Sequence, residues 1–170
     1  MNILCIGDAM ISGEHIAEAA KSLHVKNANI EKNNWETDWN KLQDRRLVIE
    51  KQGPSAEKVI TQILNADKNT EILLALFCPI SKEAINMLPK LKLIGVSRAG
   101  LENIDVQYAT EKGIVVQHIK GRNAEAVSDY TIGLILAEAR NIARSHYSVK
   151  NGSWRKSFDN SDMIPELRDK

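Results

Sequence analysis

The run from Glu71 to Phe77, EILLALF, is apolar at nearly every position, with no alternation of greasy and polar residues. A strand of that kind needs cover on both faces, and sheets covered on both faces are parallel ones wound with helices. Shorter runs of similar character recur as NILCIG at 2–7, LKLIGVS at 91–97 and IVVQHI at 114–119, with a weaker one in HVKNANIE at 24–31. Helical stretches lie between them. SGEHIAEAAKSL places Ile16, Ala19, Ala20 and Leu23 on one face. WNKLQDRRLVIEKQG ends at Gly53, and SAEKVITQILNAD, after Pro54, turns Val59, Ile63 and Leu64 inward. SKEAINMLP is capped by Ser81, and DVQYATEKG is closed by Gly113. Strands alternating with helices require crossovers, and so predict an α/β fold with a mostly parallel sheet wound on both sides.

The last third has a different character. From Asn123 to Asn151 the pattern admits one long helix or two abutting ones, with Asn123 as N-cap and Glu125 in the first turn. Between Tyr130 and Ala139 it is apolar almost all the way round. A helix without a polar face needs cover on both sides, and one small sheet covers only one. The other side is expected to pack on a second chain or on a further domain. Beyond Gly152 the residues are mostly polar and weakly periodic, which reads as a linker.

Composition narrows the function. A net charge of +1, with Lys and Arg interspersed among Asp and Glu, offers no field for a nucleic acid backbone. No apolar run approaches a membrane span, and the first residues, MNILCIGD, carry no basic segment, so the expected place is the cytoplasm. Cys5 and Cys78 sit far apart in expected strands and read as small packed hydrophobes. The four histidines, His15, His24, His118 and His146, lack metal-ligand spacing, and no metal is expected.

Parallel sheets hold ligands beyond the carboxyl ends of their strands. Three loops qualify, at 8–13, 77–81 and 97–103. Gly95 and Gly100 have the spacing of a phosphate-binding P-loop, but Leu101 and Glu102 stand where Lys and Ser or Thr are needed. GxGxxG appears nowhere, and Cys78 and Pro79 occupy the strand end where a phosphoacceptor Asp would sit. Asp8 and Glu14 read as turn and cap residues, and His118 as a packed or exposed imidazole. Arg98 is the strongest candidate. With the amides of Ala99 and Gly100 it can hold a carboxylate or phosphate, or it can pair with Glu102 on the loop; the sequence leaves both open.

LPKLKLIGVSRAGLENIDVQYATEKGIVV, followed by GRNAEAVSDYTIGLILAEARNIARSHYSVKNGSWR, resembles the amino-terminal half of the D-isomer-specific 2-hydroxyacid dehydrogenases, in the phosphoglycerate-dehydrogenase-like branch, from Leu88 to Arg155. The resemblance implies a flavodoxin-like substrate domain at 1–121, a crossing and dimerisation helix at 122–152 that begins the cofactor domain, and a linker at 153–170. It implies that Arg98, Ala99 and Gly100 hold the substrate carboxylate, facing a wall at 77–80 that includes Cys78 and Pro79. Asn123 and Val127 would approach the nicotinamide end of NAD. The stretch QHIKG lacks the proline-containing turn usual there.

The glycine-rich NAD loop, the polarising Arg, its acidic companion and the acid-base His of the family all lie beyond a segment like SDMIPELRDK. The chain therefore resembles a dehydrogenase cut at its linker, without its Rossmann domain. Two functions follow as expectations. One is the substrate-domain portion of an NAD-dependent oxidoreductase acting on a small 2-hydroxy or 2-oxo acid, inactive alone and dimeric through 123–151. The other is a non-catalytic dimeric module that binds a carboxylate or regulates a full-length relative.

Overall fold

The computed structural model describes residues 1–163. Five parallel strands, β1 (Asn2–Gly7), β2 (Asn29–Asn34), β3 (Thr70–Ala75), β4 (Leu93–Val96) and β5 (Val115–His118), form one sheet in the order β2-β1-β3-β4-β5. This is the doubly wound, flavodoxin-like order, which puts the reversal of winding between β1 and β3. The apolar run at 71–77 becomes the middle strand, as its lack of a polar face requires.

Alternate residues of the strands feed two cores. Ile3 and Cys5 pack with Ile16, Ala17 and Ala20 of helix α1 (Gly13–Ser22) on one face. Leu4, Ile6, Leu73, Ala75, Ile94 and Val96 face the other way. They meet α2 (Trp39–Gln52), α3 (Thr61–Leu64), α4 (Lys82–Asn86) and α5 (Val106–Glu111) through Leu42, Ile49, Ile63, Ile85 and Ala109. Local signals set the helix ends. Ser12, Asp38, Ser81 and Asp105 each accept a backbone N–H from the first turn, and Gly113 takes φ +70 after α5.

Three expectations are corrected. The face that α1 buries is Gly13, Ile16, Ala17 and Ala20; Ala19 is exposed and Leu23 is 73% exposed, because α1 ends at Ser22 and His24 turns into the left-handed region at φ 51. The second strand begins only at Asn29, since Asn27 also takes positive φ. The helix expected over 55–67 is reduced to a 3-10 turn at Pro54–Ala56 and the single turn α3. Between them Glu57 is extended, φ −120 and ψ 154, with its carboxylate bonded to the Arg45 guanidinium, and Leu64 ends up exposed rather than inward. A bidentate charged bond outweighs the helix propensity of one residue.

Residues 1–122 make one compact unit and a second begins at 123. In the second, two helices form rather than one: α6 (Ala124–Ala139) and α7 (Ile142–Lys150), separated by Asn141 at φ 54. Asn141 is buried, donates to Asn160 Oδ1 and accepts from Arg144 Nη1, so its side chain holds the break. No residue of α6 is buried. The stretch after Gly152 is tied to α7. Ser148 Oγ donates to Ser153 O and accepts from Arg155 N–H, and a 3-10 turn closes at Ser161–Met163. Residues 164–170 of the expected linker lie outside the described residues. Among the described residues no helix is long and apolar enough to cross a membrane.

Candidate active site

At the carboxyl end of β4 the chain runs into Ser97, Arg98, Ala99 and Gly100. Ser97 N–H still belongs to the sheet, donating to Ala75 O, and the carbonyls of Arg98 and Ala99 are taken by β5: Ile119 N–H donates to the first at 3.0 Å, and His118 Nδ1 lies 2.6 Å from the second. A carbonyl only accepts, so Nδ1 carries the proton. The peptide N–H groups of Arg98, Ala99 and Gly100 find no protein acceptor among the described residues. Unpaired backbone N–H groups at the end of a parallel strand are free to donate to an anion, a carboxylate included.

Arg98 is largely buried, and its Nη2 lies 3.0 Å from both Glu50 and Glu102. Its guanidinium also stacks on Phe77, 4.7 Å from the ring centre, while Arg46 approaches the same ring at 5.0 Å and pairs with Glu50. The pairing with Glu102 was legible from the four-residue spacing. Glu50, 48 positions away on α2, was not.

Opposite stands the 77–80 stretch, buried throughout, including Cys78 at 1% exposure and Pro79. It offers backbone rather than side chain: Cys78 N–H has no protein acceptor among the described residues. Burial pushes the Cys78 thiol far above its ordinary range, helped by the nearby Asp8 carboxylate, and lifts Cys5 to about 11, so neither is a nucleophile.

Asn103 joins the two walls, a role that no local pattern marks beyond an Asn in a loop. Fully buried, it donates from Nδ2 to Cys78 O at 2.9 Å and more weakly to Leu76 O at 3.4 Å, and its carbonyl accepts from Ile80 N–H at 2.8 Å. Its Oδ1 has no hydrogen-bond partner among the described residues. Ile80 and Ile104 add a parallel bridge, so the loops at 77–80 and 98–104 are laced into one piece.

Asp8, at the carboxyl end of β1, accepts from Met10, Ile11 and Phe77 N–H groups and is 4% exposed. It is a turn residue reaching across to β3. Glu14 sits in the first turn of α1 and pairs with Lys32, which lowers its pKa. For Asp8 burial outweighs the three N–H bonds and raises the pKa above the ordinary 3.8. A carboxyl whose folded pKa is raised adds stability below its unfolded value, and loses that stability as pH rises through the folded one. Urea melts of the wild type and of Asp8→Asn between pH 4 and 7 should therefore diverge, the variant gaining relative to the wild type as pH rises. Parallel curves would contradict this.

The second unit supplies the remaining candidates. Asn123 caps α6 with φ −120 and ψ 14 and makes no side-chain cap bond, and Val127, one turn on, is 53% exposed. A groove of about 560 Å³ opens on the α1 face, lined by Ile16, Ala20, Leu74, Gly95 and Ile119 among others. Its walls are mostly apolar, which does not suit an acid. Among the described residues no group of His, Cys, Asp and Glu could hold a metal ion.

The sequence comparisons point to one family, and the solved structures share the fold. The description "D-isomer specific 2-hydroxyacid dehydrogenase, catalytic domain" matches residues 30–160. A D-3-phosphoglycerate dehydrogenase of Methanocaldococcus jannaschii is 36% identical over 112 residues, 65% of this chain and 21% of that enzyme. A glyoxylate reductase of Thermofilum pendens is 34% identical over 118 residues, 69% of this chain and 34% of that enzyme. The crystal structure of D-lactate dehydrogenase from Aquifex aeolicus, complexed with NAD and lactic acid, superposes with a TM-score of 0.56 at 20% identity. That match covers 93% of this chain and 40% of the other. The chain thus spans about a fifth to a third of the length of these curated relatives. Matched over residues 30–160 and folded in the expected strand order, it belongs to the D-isomer specific 2-hydroxyacid dehydrogenases, through their catalytic domain.

Proposed function

We propose that this chain is the acid-holding portion of an NAD-dependent oxidoreductase that works in the cytoplasm on a small 2-hydroxy or 2-oxo acid. The observation that carries the reading is the row of unpaired N–H groups at Arg98, Ala99 and Gly100, at the strand end where α/β sheets bind ligands. The substrate carboxylate accepts from these amides. The 77–80 backbone, with Cys78 and Pro79, stands across from it, kept there by Asn103. Asn123 and Val127 serve the nicotinamide end. NAD supplies the hydride acceptor or donor when it is bound.

A whole dinucleotide does not fit the residues present. The pyrophosphate of such a cofactor rests on a glycine-rich strand-to-helix turn, and the 170 residues hold no GxGxxG. The chain by itself is therefore expected to bind acid without turnover. Titrating ¹⁵N-labelled protein with glyoxylate should move the Ala99 and Gly100 amide resonances to saturation. A coupled assay with NADH and the same acid should stay at background. Unmoved amides would overturn the reading of the loop, and reproducible oxidation of NADH would overturn the division of labour.

The chain is further proposed to pair with a second copy through 123–151. What supports this is α6 itself: Ile132, Leu134 and Ile135 are each more than half exposed in the stretch 130–139, which is apolar almost all the way round. Sedimentation should give a dimer, and Ile135→Glu should weaken it at least about tenfold. A stable wild-type monomer would count against it. The same unpaired amides also favour a second reading, a non-catalytic dimeric module. Mixed dimers with a full-length relative whose turnover then changes would favour that module.

A further inference from the structure

We infer that the acid held at this loop carries one negative charge and no phosphate, and that Glu102 sets that limit. The inference rests on the reading of the 98–100 amides as a carboxylate site. Charged side chains tied to this loop or to its partners are few. Arg98 is shared between Glu50 and Glu102 at 3.0 Å each, Arg46 is paired with Glu50 at 3.7 Å, and Arg122 donates to Ser97 O at 2.8 Å. Asp8, bonded to Phe77 N–H at 3.3 Å, adds a third carboxyl on the facing side, so the three guanidiniums leave no surplus positive charge for a second anionic group.

The position of Glu102 sharpens the point. A methyl group built on Gly100 would lie 2.2 Å from Glu102 Oε2 and 2.8 Å from Oε1, so the carboxylate rests against the backbone whose amides are to take the acid. Arg98 holds it there. A phosphate monoester brings about two further charges near neutral pH. Those charges would find the guanidinium beside the loop already claimed, with the half-exposed Glu102 carboxylate next to it. Like charges at that separation repel even through partial solvent screening.

The test compares glyoxylate with 3-phosphoglycerate at pH 8 on the wild-type chain, reading the Ala99 and Gly100 amides. The phosphorylated acid is expected to bind at least about tenfold more weakly, and Glu102→Gln to bring the two within about threefold of each other. Glu50→Gln, which frees Arg98 from the other side, should move the ratio in the same direction. Equal or tighter binding of 3-phosphoglycerate by the wild type overturns the inference while leaving the acid site standing. A ratio unchanged in both variants removes Glu50 and Glu102 as its cause and overturns it too. If neither acid moves these amides, the site reading falls and the inference falls with it.

Discussion

Replacing Asn103 with alanine is expected to cost the fold about 2–4 kcal/mol, read as a lower urea midpoint at unchanged slope. The side chain is fully buried, and its Nδ2 is the donor for Cys78 O and Leu76 O. Truncation leaves these carbonyls without that donor and opens a cavity, and both effects destabilise. The unpartnered Oδ1 leaves with the side chain, which offsets part of the loss and keeps the figure at the lower end for so buried a group. Asn103→Asp should be worse than alanine at neutral pH. It would bury a carboxylate facing two carbonyl oxygens, and it should recover as the pH is lowered and the acid is protonated. An alanine variant within about 0.5 kcal/mol of the wild type would mean that the lacing of the two loops rests on backbone bonds alone.

A still larger effect is expected at Gly7. Where β1 ends, its backbone lies against the start of α1. A methyl on Gly7 would fall 1.9 Å from Gly13 N, 2.3 Å from the Ser12 carbonyl carbon and 2.6 Å from Ile11 O. All three are backbone atoms, so no side chain can swing away. Gly7→Ala should lose more than about 4 kcal/mol, most of the stability of a domain at the low end of the ordinary range. Gly53 is the useful contrast. Nothing lies within 4 Å of its added methyl, but φ +84 with ψ 176 is a combination essentially confined to glycine, so Gly53→Ala should cost about 1–3 kcal/mol through backbone strain. Circular dichroism melts of the two variants side by side separate a steric clash from a conformational one.

These two residues also show where sequence reasoning stops. The uninterrupted apolar run at 71–77, the cap at Ser81 and the turn at Gly113 are local signals, and each led to the right element. The parallel, doubly wound sheet followed from the crossovers such elements require, and its flavodoxin-like character from the family resemblance. Nothing local marks Asn103 as a tie between loops, because an Asn in a loop is ordinarily a turn residue. The pairing of Arg98 with Glu50 depends on α2 and β4 meeting across the core, a contact that no spacing encodes. The lost helix at 55–67 has the same origin: Arg45 draws Glu57 off a path its neighbours would otherwise follow. A long-range charged contact decided the helix at 55–67, whereas local left-handed turns at His24 and Asn27 decided the end of α1 and the start of β2.

The two borders of the sheet differ in what they can recruit. Strand β2, Asn29–Asn34, reads NIEKNN and closes one side with amides and charges, a sequence that gives an incoming strand little to bury. On the far side β5 leaves Val115 57% and the neighbouring Ile119 50% exposed. Misassembly of concentrated protein should therefore start at β5. A lysine at position 115 would raise the concentration the protein tolerates before it clouds, whereas the same change on β2 would do little.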